Sequence, residues 1–395
     1  MHTNLKELAE SRRQAVVDLC RRLIQTPSLP SEEGKAAQLV KAEMERLGYD
    51  RVWIDEAGNV IGLVAGSGGG PKVQFNTHLD HVDPGDLSAW PFPPYEARLH
   101  DGFIWGRGAS DIKGPMAAQV QAIAALKAAG LPHRADCYVV CVVNEERGGL
   151  GTRYLTQTLP CDYGVIGEAS ACQLVRGHRG RAAVEVHFRG RSVHASAPER
   201  GINPHYSAAR FMLALRDLPM AQWPDLGPAT VTPTLYFTDQ TSFNVVPSEV
   251  VVHLDWRSGP GQDEEAILSQ LRPLLAPSLV DGCQGEVNIP ATTLTTYRGY
   301  EETRPLIAYP VLLEPDDPFL RRAQGALEAT LGRPMPPRFW KFTTDGGHLM
   351  RAGTPCVGFG PGDETVVHTV HERIAVDQLV EAMAGYLALA QAFGE

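Results

Sequence analysis

Apolar positions recur along this chain with two different periods, and the order in which the periods alternate suggests its architecture. At the amino terminus Leu5, Leu8, Val16, Leu19 and Leu23 stand among charged residues at helical spacing, which reads as an amphipathic helix and not as a secretory leader. Between Arg51 and Thr77 three β-type runs follow, RVWID, NVIGLVAG and KVQFNT, the GSGGGP stretch marking a surface loop. A helix is expected from about Lys113 to Ala129, then the β-branched run CYVVCVV, a helix near Gly151 to Thr158 and the strand-like DYGVIG. Strand and helix alternating in this way favour a mostly parallel sheet with covering helices.

From about Gly180 the pattern changes. AAVEVHF alternates like a strand, Pro204 to Leu218 reads as a helix, and ATVTPTLYF and EVVVHLDWR alternate again. A helix near Asp263 to Leu275 and a strand near Gly285 to Thr293 complete a β-α-β-β-α-β series of ferredoxin-like type. After Pro310 the chain returns to helices and one apolar strand, PCVGFG, and its last helix, AVDQLVEAMAGYLALAQAF, carries an apolar face that would cover the sheet. The expected organisation is an α/β domain in two parts, residues 1–179 and 296–395, interrupted by an α+β insert over residues 180–295.

Composition removes several classes of function. A chain of 395 residues can bury a large core and divide into two domains. Its net charge of −10 argues against a nucleic-acid backbone as partner. No run of 18 apolar residues is present, so no helix is expected to span a membrane. The seven cysteines, Cys20, Cys137, Cys141, Cys161, Cys172, Cys283 and Cys356, are scattered and form no Cys-x-x-Cys pair; they read as reduced, buried thiols of a cytoplasmic protein.

In open α/β sheets ligands bind at the carboxyl ends of the strands, and here those ends carry metal-type donors. His78 and Asp80 follow KVQFNT, Glu145 and Glu146 follow CYVVCVVN, Glu168 follows DYGVIG, and His368 lies shortly after PCVGFG. Asp111, in GRGASDIKG, precedes a helix. Each alone is more often a turn or cap residue, and the Glu145–Glu146 pair a solvated acidic turn; the group points to one cleft. Two cations about 3.5–4 Å apart need a bridging carboxylate with nitrogen and oxygen donors on either side. Two histidines and three carboxylates would supply these, and the adjacent glutamates would divide the work, one binding metal while its neighbour accepts a proton from water.

THLDHVDPGD, WGRGASDIKGPMAA, NEERGGLGT, VIGEAS and VHTVHE stand in order along the chain, with SVHASAPERGINP and NVVPSEVVVHLDWR in the insert. Together they resemble the zinc metallopeptidase family of aminoacylase, acetylornithine deacetylase, succinyl-diaminopimelate desuccinylase and glutamate carboxypeptidase, over essentially the whole chain. The resemblance implies two Zn2+, for which Co2+ or Mn2+ could substitute: one held by His78, Asp111 and Glu168, the other by Asp111, Glu146 and His368. It also implies a cis peptide between Asp111 and Ile112, Asp80 bonded to the far nitrogen of His78, and Glu145 as general base. His194 would reach the active site and donate to the oxyanion. Asn244 and Arg257 would take a substrate carboxylate, with Arg179 and Thr343 as further substrate-binding candidates.

Three positions depart from the family's commonest pattern. Asn144 stands where an Asp often precedes the glutamate pair, Ala169 replaces a Pro after the metal glutamate, and His371 replaces an Asn or Asp after the metal histidine. Because His371 and His81 add imidazoles nearby, either is an alternative ligand to His368. The stretches LVRGHRGR, ERGINP, FWKFTTDGG and GFGPG resemble a bacterial subgroup of acetylornithine deacetylase-like hydrolases. The activity implied is hydrolysis of an N-acyl amino acid; a dipeptidase or carboxypeptidase acting on short peptides would use the same centre, and a catalytically silent metal-binding relative is the remaining alternative. The resemblance also implies a homodimer formed through the insert over residues 180–295, which would serve as a lid and dimerisation domain.

Overall fold

Two helices, α1 (Leu5–Ser11) and α2 (Arg13–Ile24), form where one was expected, because the Arg12 N–H turns back to the carbonyls of Ala9 and Glu10 and closes the first. The protein is described here from a computed structural model covering residues 4–394, so Met1–Thr3 of the expected first helix lie outside the described residues. A helix that was not anticipated, α3 (Gly34–Arg46), buries Ala36, Ala37, Val40 and Met44. Then come β1 (Arg51–Ile54), β2 (Val60–Val64), β3 (Lys72–His78), the helix α4 (Gly114–Ala128), β4 (Asp136–Val142), α5 (Leu150–Thr158), β5 (Tyr163–Ile166) and β6 (Val175–His178).

The chain divides into two compact units. The first runs to Gly177 and resumes over Leu294–Glu302 and from Val311 onward; the second is His178–Thr293 with Thr303–Pro310. In the second, β7 (Gly180–Arg189), α6 (Pro204–Leu215), β8 (Thr230–Thr238), β9 (Glu249–Ser258), α7 (Glu264–Ser278) and β10 (Gln284–Asn288) follow in that order. The sheet order β8-β9-β7-β10 is wholly antiparallel, with the short strand Ile307–Ala308 also beside β7. This is the arrangement expected of the β-α-β-β-α-β series. Ala182, Val184, Val186 and Phe188 from β7 and Val250, Val252, Leu254 and Trp256 from β9 share one core with Phe211, Ile267 and Leu271 of the helices, as period-two alternation requires. Two prolines modify the expected strands. Pro233 lies in the edge strand β8, where the register shifts between Pro233 and Leu235, and the strand expected over residues 285–293 ends at Asn288, just before Ile289–Pro290. Proline cannot donate to a ladder, so edges and strand ends are where it fits.

The first unit ends with α8 (Pro318–Leu331), α9 (Gly346–Arg351), β11 (Cys356–Gly358) and α10 (Val376–Ala392). Among the described residues its main sheet has nine strands. The path runs β1-β2-β4-β3-β5-β11-β6 and on to Val311–Leu312, with Arg338–Phe339 beside β6. The four strands β4, β3, β5 and β11 are mutually parallel. Helices α4 and α10 are buried along most of their length and share the core with Phe75, Val139 and Val165 of the sheet. Parallel strands covered in this way are apolar on both faces, which leaves their carboxyl ends as the place where polar side chains collect.

Candidate metal centre

His78 is the last residue of β3, and Glu146 and Glu168 follow β4 and β5 within a few residues. The parallel register therefore brings three separate chain segments to one end of the sheet. Asp111 arrives from the loop before α4, where residues Ala109–Lys113 form a wide turn in which Asp111 has φ −125° and ψ 82° and is not helical. The peptide bond from Asp111 to Ile112 is cis, as anticipated.

Asp111 presents one carboxylate oxygen to each side. Its Oδ1 lies 3.0 Å from His78 Nε2 and its Oδ2 lies 3.0 Å from His368 Nε2. On the first side Glu168 Oε1 is 3.5 Å from the same His78 nitrogen; on the second, Glu146 Oε1 is 3.1 Å from His368 Nε2. Within each trio, His78–Asp111–Glu168 and Asp111–Glu146–His368, one donor atom per residue lies within 4.8 Å of the others. These are the five residues assigned from the sequence. His81 is not among them: its Nε2 accepts from the Ser28 N–H and its Nδ1 faces the Val82 carbonyl, so both ring nitrogens are engaged elsewhere. His371 belongs to neither trio.

The charges around the site bear on what it can hold. Asp80, Asp111, Glu145, Glu146 and Glu168 gather around two imidazoles. Burial opposes charge on Asp111, but the bonds from His368 and His78 outweigh it and hold its carboxyl well below the usual range. Burial works against a protonated His78 as well, yet Asp111, Asp80 and Glu168 keep its pKa well above the usual value. Asp111 and Glu146 raise His368 to about 10. The remaining acids go the other way: burial, then the nearby Asp111, pushes Glu168 to about 7 and Glu146 upward, and burial together with Asp345 drives Glu145 well above its ordinary value. Carboxylates forced together in this way accumulate negative charge that only protons or cations can balance. The donors are oxygen and imidazole nitrogen without thiolate, a set that suits zinc, cobalt or manganese. The residues present fit a pair of such ions with Asp111 between them.

Asp80 faces the far nitrogen of His78 and has a second task. The Nδ1 of His78 is closer to the main-chain carbonyl of Asp80, at 2.9 Å, than to its carboxylate, at 3.4 Å. The carboxylate also accepts the N–H groups of Glu145 and Glu146, both at 3.1 Å, and so holds the turn that carries them. Several residues around that turn gave no signal in the sequence reading. Glu33 Oε1 accepts from the Asn144 N–H, His348 Nε2 lies 3.2 Å from the Gly148 carbonyl, and Asp345 takes the Thr152 hydroxyl at 2.5 Å. Gly149, at φ +77°, closes the turn where a Cβ would come within 2.2 Å of Asp345; only glycine meets both conditions. Asp345 sits in the conspicuous FTTDGG stretch and was the one of these that could have been noticed.

The other candidates belong to neither trio. Thr343 lies in the first unit, on the loop before α9. His194, Asn244, Arg257 and Arg179 belong to the second unit. There His194 Nδ1 faces Ser196 Oγ at 2.8 Å and its Nε2 faces the Asn244 amide at 3.3 Å. Arg257 Nε donates to Asp255 at 2.7 Å, and Arg179 donates to the Pro228 carbonyl at 3.3 Å.

Residues 74–392 match the family described as Peptidase family M20/M25/M40. The protein YgeY of Escherichia coli (strain K12), itself described as uncharacterized, is 32% identical over 398 residues, covering 97% of this chain and 96% of that protein. Among solved structures, aminopeptidase PepT from Bacillus cereus superposes with a TM-score of 0.79 at 21% identity, over 97% of this chain and 99% of that one. YXEP of Bacillus subtilis, described as a dinuclear metal binding peptidase from the M20 family, superposes with a TM-score of 0.73 at 15% identity, over 96% and 98%. Identities this low establish a shared fold.

Proposed function

Because the chain belongs to peptidase family M20/M25/M40, we propose that it is a dinuclear zinc deacylase that hydrolyses the amide bond of N-acyl amino acids. The family makes it a metal-dependent peptidase or amidohydrolase. The observation that carries the reading is the Asp111 carboxylate, with one oxygen toward each histidine–carboxylate pair. A bound cation pair would supply Lewis acidity toward the scissile carbonyl and toward water. His78, Asp111 and Glu168 would hold one ion and Asp111, Glu146 and His368 the other. Glu145, whose proton affinity burial and Asp345 raise above that of an ordinary carboxylate, takes a proton from water as it attacks and returns it to the leaving nitrogen. Asp80 keeps the Glu145–Glu146 turn in place throughout.

The second unit contributes recognition in this reading. His194 donates to the oxyanion, and Asn244 and Arg257 take the substrate carboxylate, with Arg179 and Thr343 as further contacts. Arg257 is suited to that task because Asp255 engages its Nε, which orients the guanidinium fork. A homodimer is supported by the edge strand β8, where Leu235, Tyr236 and Phe237 are 54%, 41% and 50% exposed; an apolar sheet edge left open invites pairing with another copy. Seven buried free thiols support a cytoplasmic setting, and no helix among the described residues is long and apolar enough to cross a membrane.

The test is a side-by-side assay of N-acetyl and N-succinyl amino acids, including acetylornithine and succinyl-diaminopimelate, against simple di- and tripeptides with zinc, cobalt or manganese. Faster turnover of an acylated amino acid supports the deacylase. Preference for a free amino terminus would make the enzyme a peptidase instead, absent hydrolysis across the panel would leave a silent metal-binding relative, and hydrolysis insensitive to chelator would contradict the metal-dependent mechanism.

A further inference from the structure

The acid that ends the VHTVHE stretch has no part in the chemistry above, yet Glu372 is fully buried and reaches the loop of Asp111. Its Oε1 accepts two consecutive main-chain N–H groups, those of Ser110 and Asp111, each at 3.1 Å. Its Oε2 takes the guanidinium of Arg107, which is itself only 3% exposed. The surrounding backbone is fastened as well: the Gly106 N–H donates to the Glu372 carbonyl at 3.1 Å, the Ser110 hydroxyl donates to the Arg373 carbonyl at 2.7 Å, and Arg373–Ala375 pairs with Phe103–Trp105 in a short antiparallel ladder. Arg107 lies over the Trp90 ring, 5.1 Å from its centroid.

We propose that Glu372 is a positioning residue that clasps the bridging Asp111 and sets the spacing of the two cation sites. The inference rests on the metal-centre reading. Asp111 lies in a non-helical stretch of backbone, so its N–H has no place in a helical ladder, and a buried N–H requires an acceptor. A charged acceptor balanced by Arg107 holds more firmly than a neutral one. Position is what gives the clasp a functional consequence. Glu372 is four residues beyond His368, and His368 shares Asp111 with His78. One carboxylate therefore fixes the distance between the segment bearing the bridge and the segment bearing a ligand of the same ion. Asp80 makes the matching arrangement on the other side, receiving two consecutive N–H groups from Glu145 and Glu146 while standing two residues from His78. Four of the five ligand-bearing segments, all but that of Glu168, are thus stapled in pairs by buried carboxylates, which preorganises the site for cations.

Two variants separate positioning from simple support of the fold. Glu372→Asp keeps a negative charge opposite Arg107 but withdraws by one methylene from Ser110 and Asp111, and Arg107→Met with Glu372→Gln removes both charges together. Wild type and both variants are stripped of metal, compared by thermal unfolding, and titrated with Zn2+ against a chromophoric chelator. The clasp predicts variants that still unfold cooperatively without metal, though at lower stability, with at least ten-fold weaker binding of both zinc equivalents and kcat at least ten-fold lower with KM within about three-fold. Wild-type zinc affinity and kcat in a folded variant would overturn the clasp alone. A wild-type protein that fails to take up two equivalents would instead overturn the metal-centre reading and this inference with it.

Discussion

Replacing Asp80 by Asn changes one charge and almost no volume, at a residue that is completely buried. Its two carboxylate oxygens receive the N–H groups of Glu145 and Glu146 at 3.1 Å each. An amide side chain keeps one acceptor and turns an NH2 toward the other N–H. Hydrogen bonds to a charged group contribute roughly 1.5–3 kcal/mol, and an orphaned buried donor costs roughly a further 1–3 kcal/mol. The variant is expected to lose about 3 kcal/mol in a urea unfolding titration of the metal-free protein. Its larger effect should be on catalysis, since the freed turn carries the proposed base, and a misplacement of about 1 Å at a reacting group lowers rates on the order of 100-fold. The assay is steady-state hydrolysis of the best acylated amino acid at saturating zinc, with metal content measured on the same sample. A fall in kcat on the order of 100-fold with KM little changed is the expected result. A stable, fully metallated variant with kcat within three-fold of wild type would refute the idea that Asp80 acts by holding this turn.

Three further outcomes are expected. Glu145→Gln should retain both metals by elemental analysis while kcat falls by at least about 1000-fold, beyond the 10²–10⁴ range's lower end for general acid–base loss; near-normal turnover would remove Glu145 from its role. Phe237→Asp, on the open edge of β8, should shift the protein to monomer in light scattering at micromolar concentration, and an unchanged mass would count against that edge as the contact. His178 is completely buried and burial lowers its pKa to about 4. The folded state therefore binds that proton less readily than the unfolded chain, so the stability this neutral ring confers is complete above pH 6.5 and is lost as pH falls from 6.5 toward 4. The drop corresponds to about 3 kcal/mol, and His178→Gln should flatten the pH dependence of unfolding by that amount; parallel curves for variant and wild type would contradict it.

The strands and helices that were legible are those whose apolar spacing is undisturbed, such as β3, β4, β7 and α10. Departures have local causes. Arg12 ends a helix through its own N–H, Pro233 and Pro290 interrupt or end strands, and α3 carries helical spacing at Ala36, Val40 and Met44 that the GKAAQLVKAEMER composition half conceals. At the centre, the donors could be picked out because each stands near the end of a strand or a distinctive motif. The residues that hold those donors could not. Glu33 meets Asn144 across 111 positions and Glu372 meets Asp111 across 261, and a buried acid among surface-type residues has no pattern of its own in a single sequence. The Asp80 carboxylate illustrates the limit: its place beside His78 was evident, but its two main-chain partners depend on the register between β3 and β4.

The central claim is that Asp111 stands between two cations. Crystals of the protein grown with zinc, with anomalous scattering measured at energies above and below the zinc edge, test it most directly. The account predicts two peaks, one on each side of the Asp111 carboxylate, the first against His78 and Glu168 and the second against Glu146 and His368. A single peak, or none within coordination distance of Asp111, would contradict it.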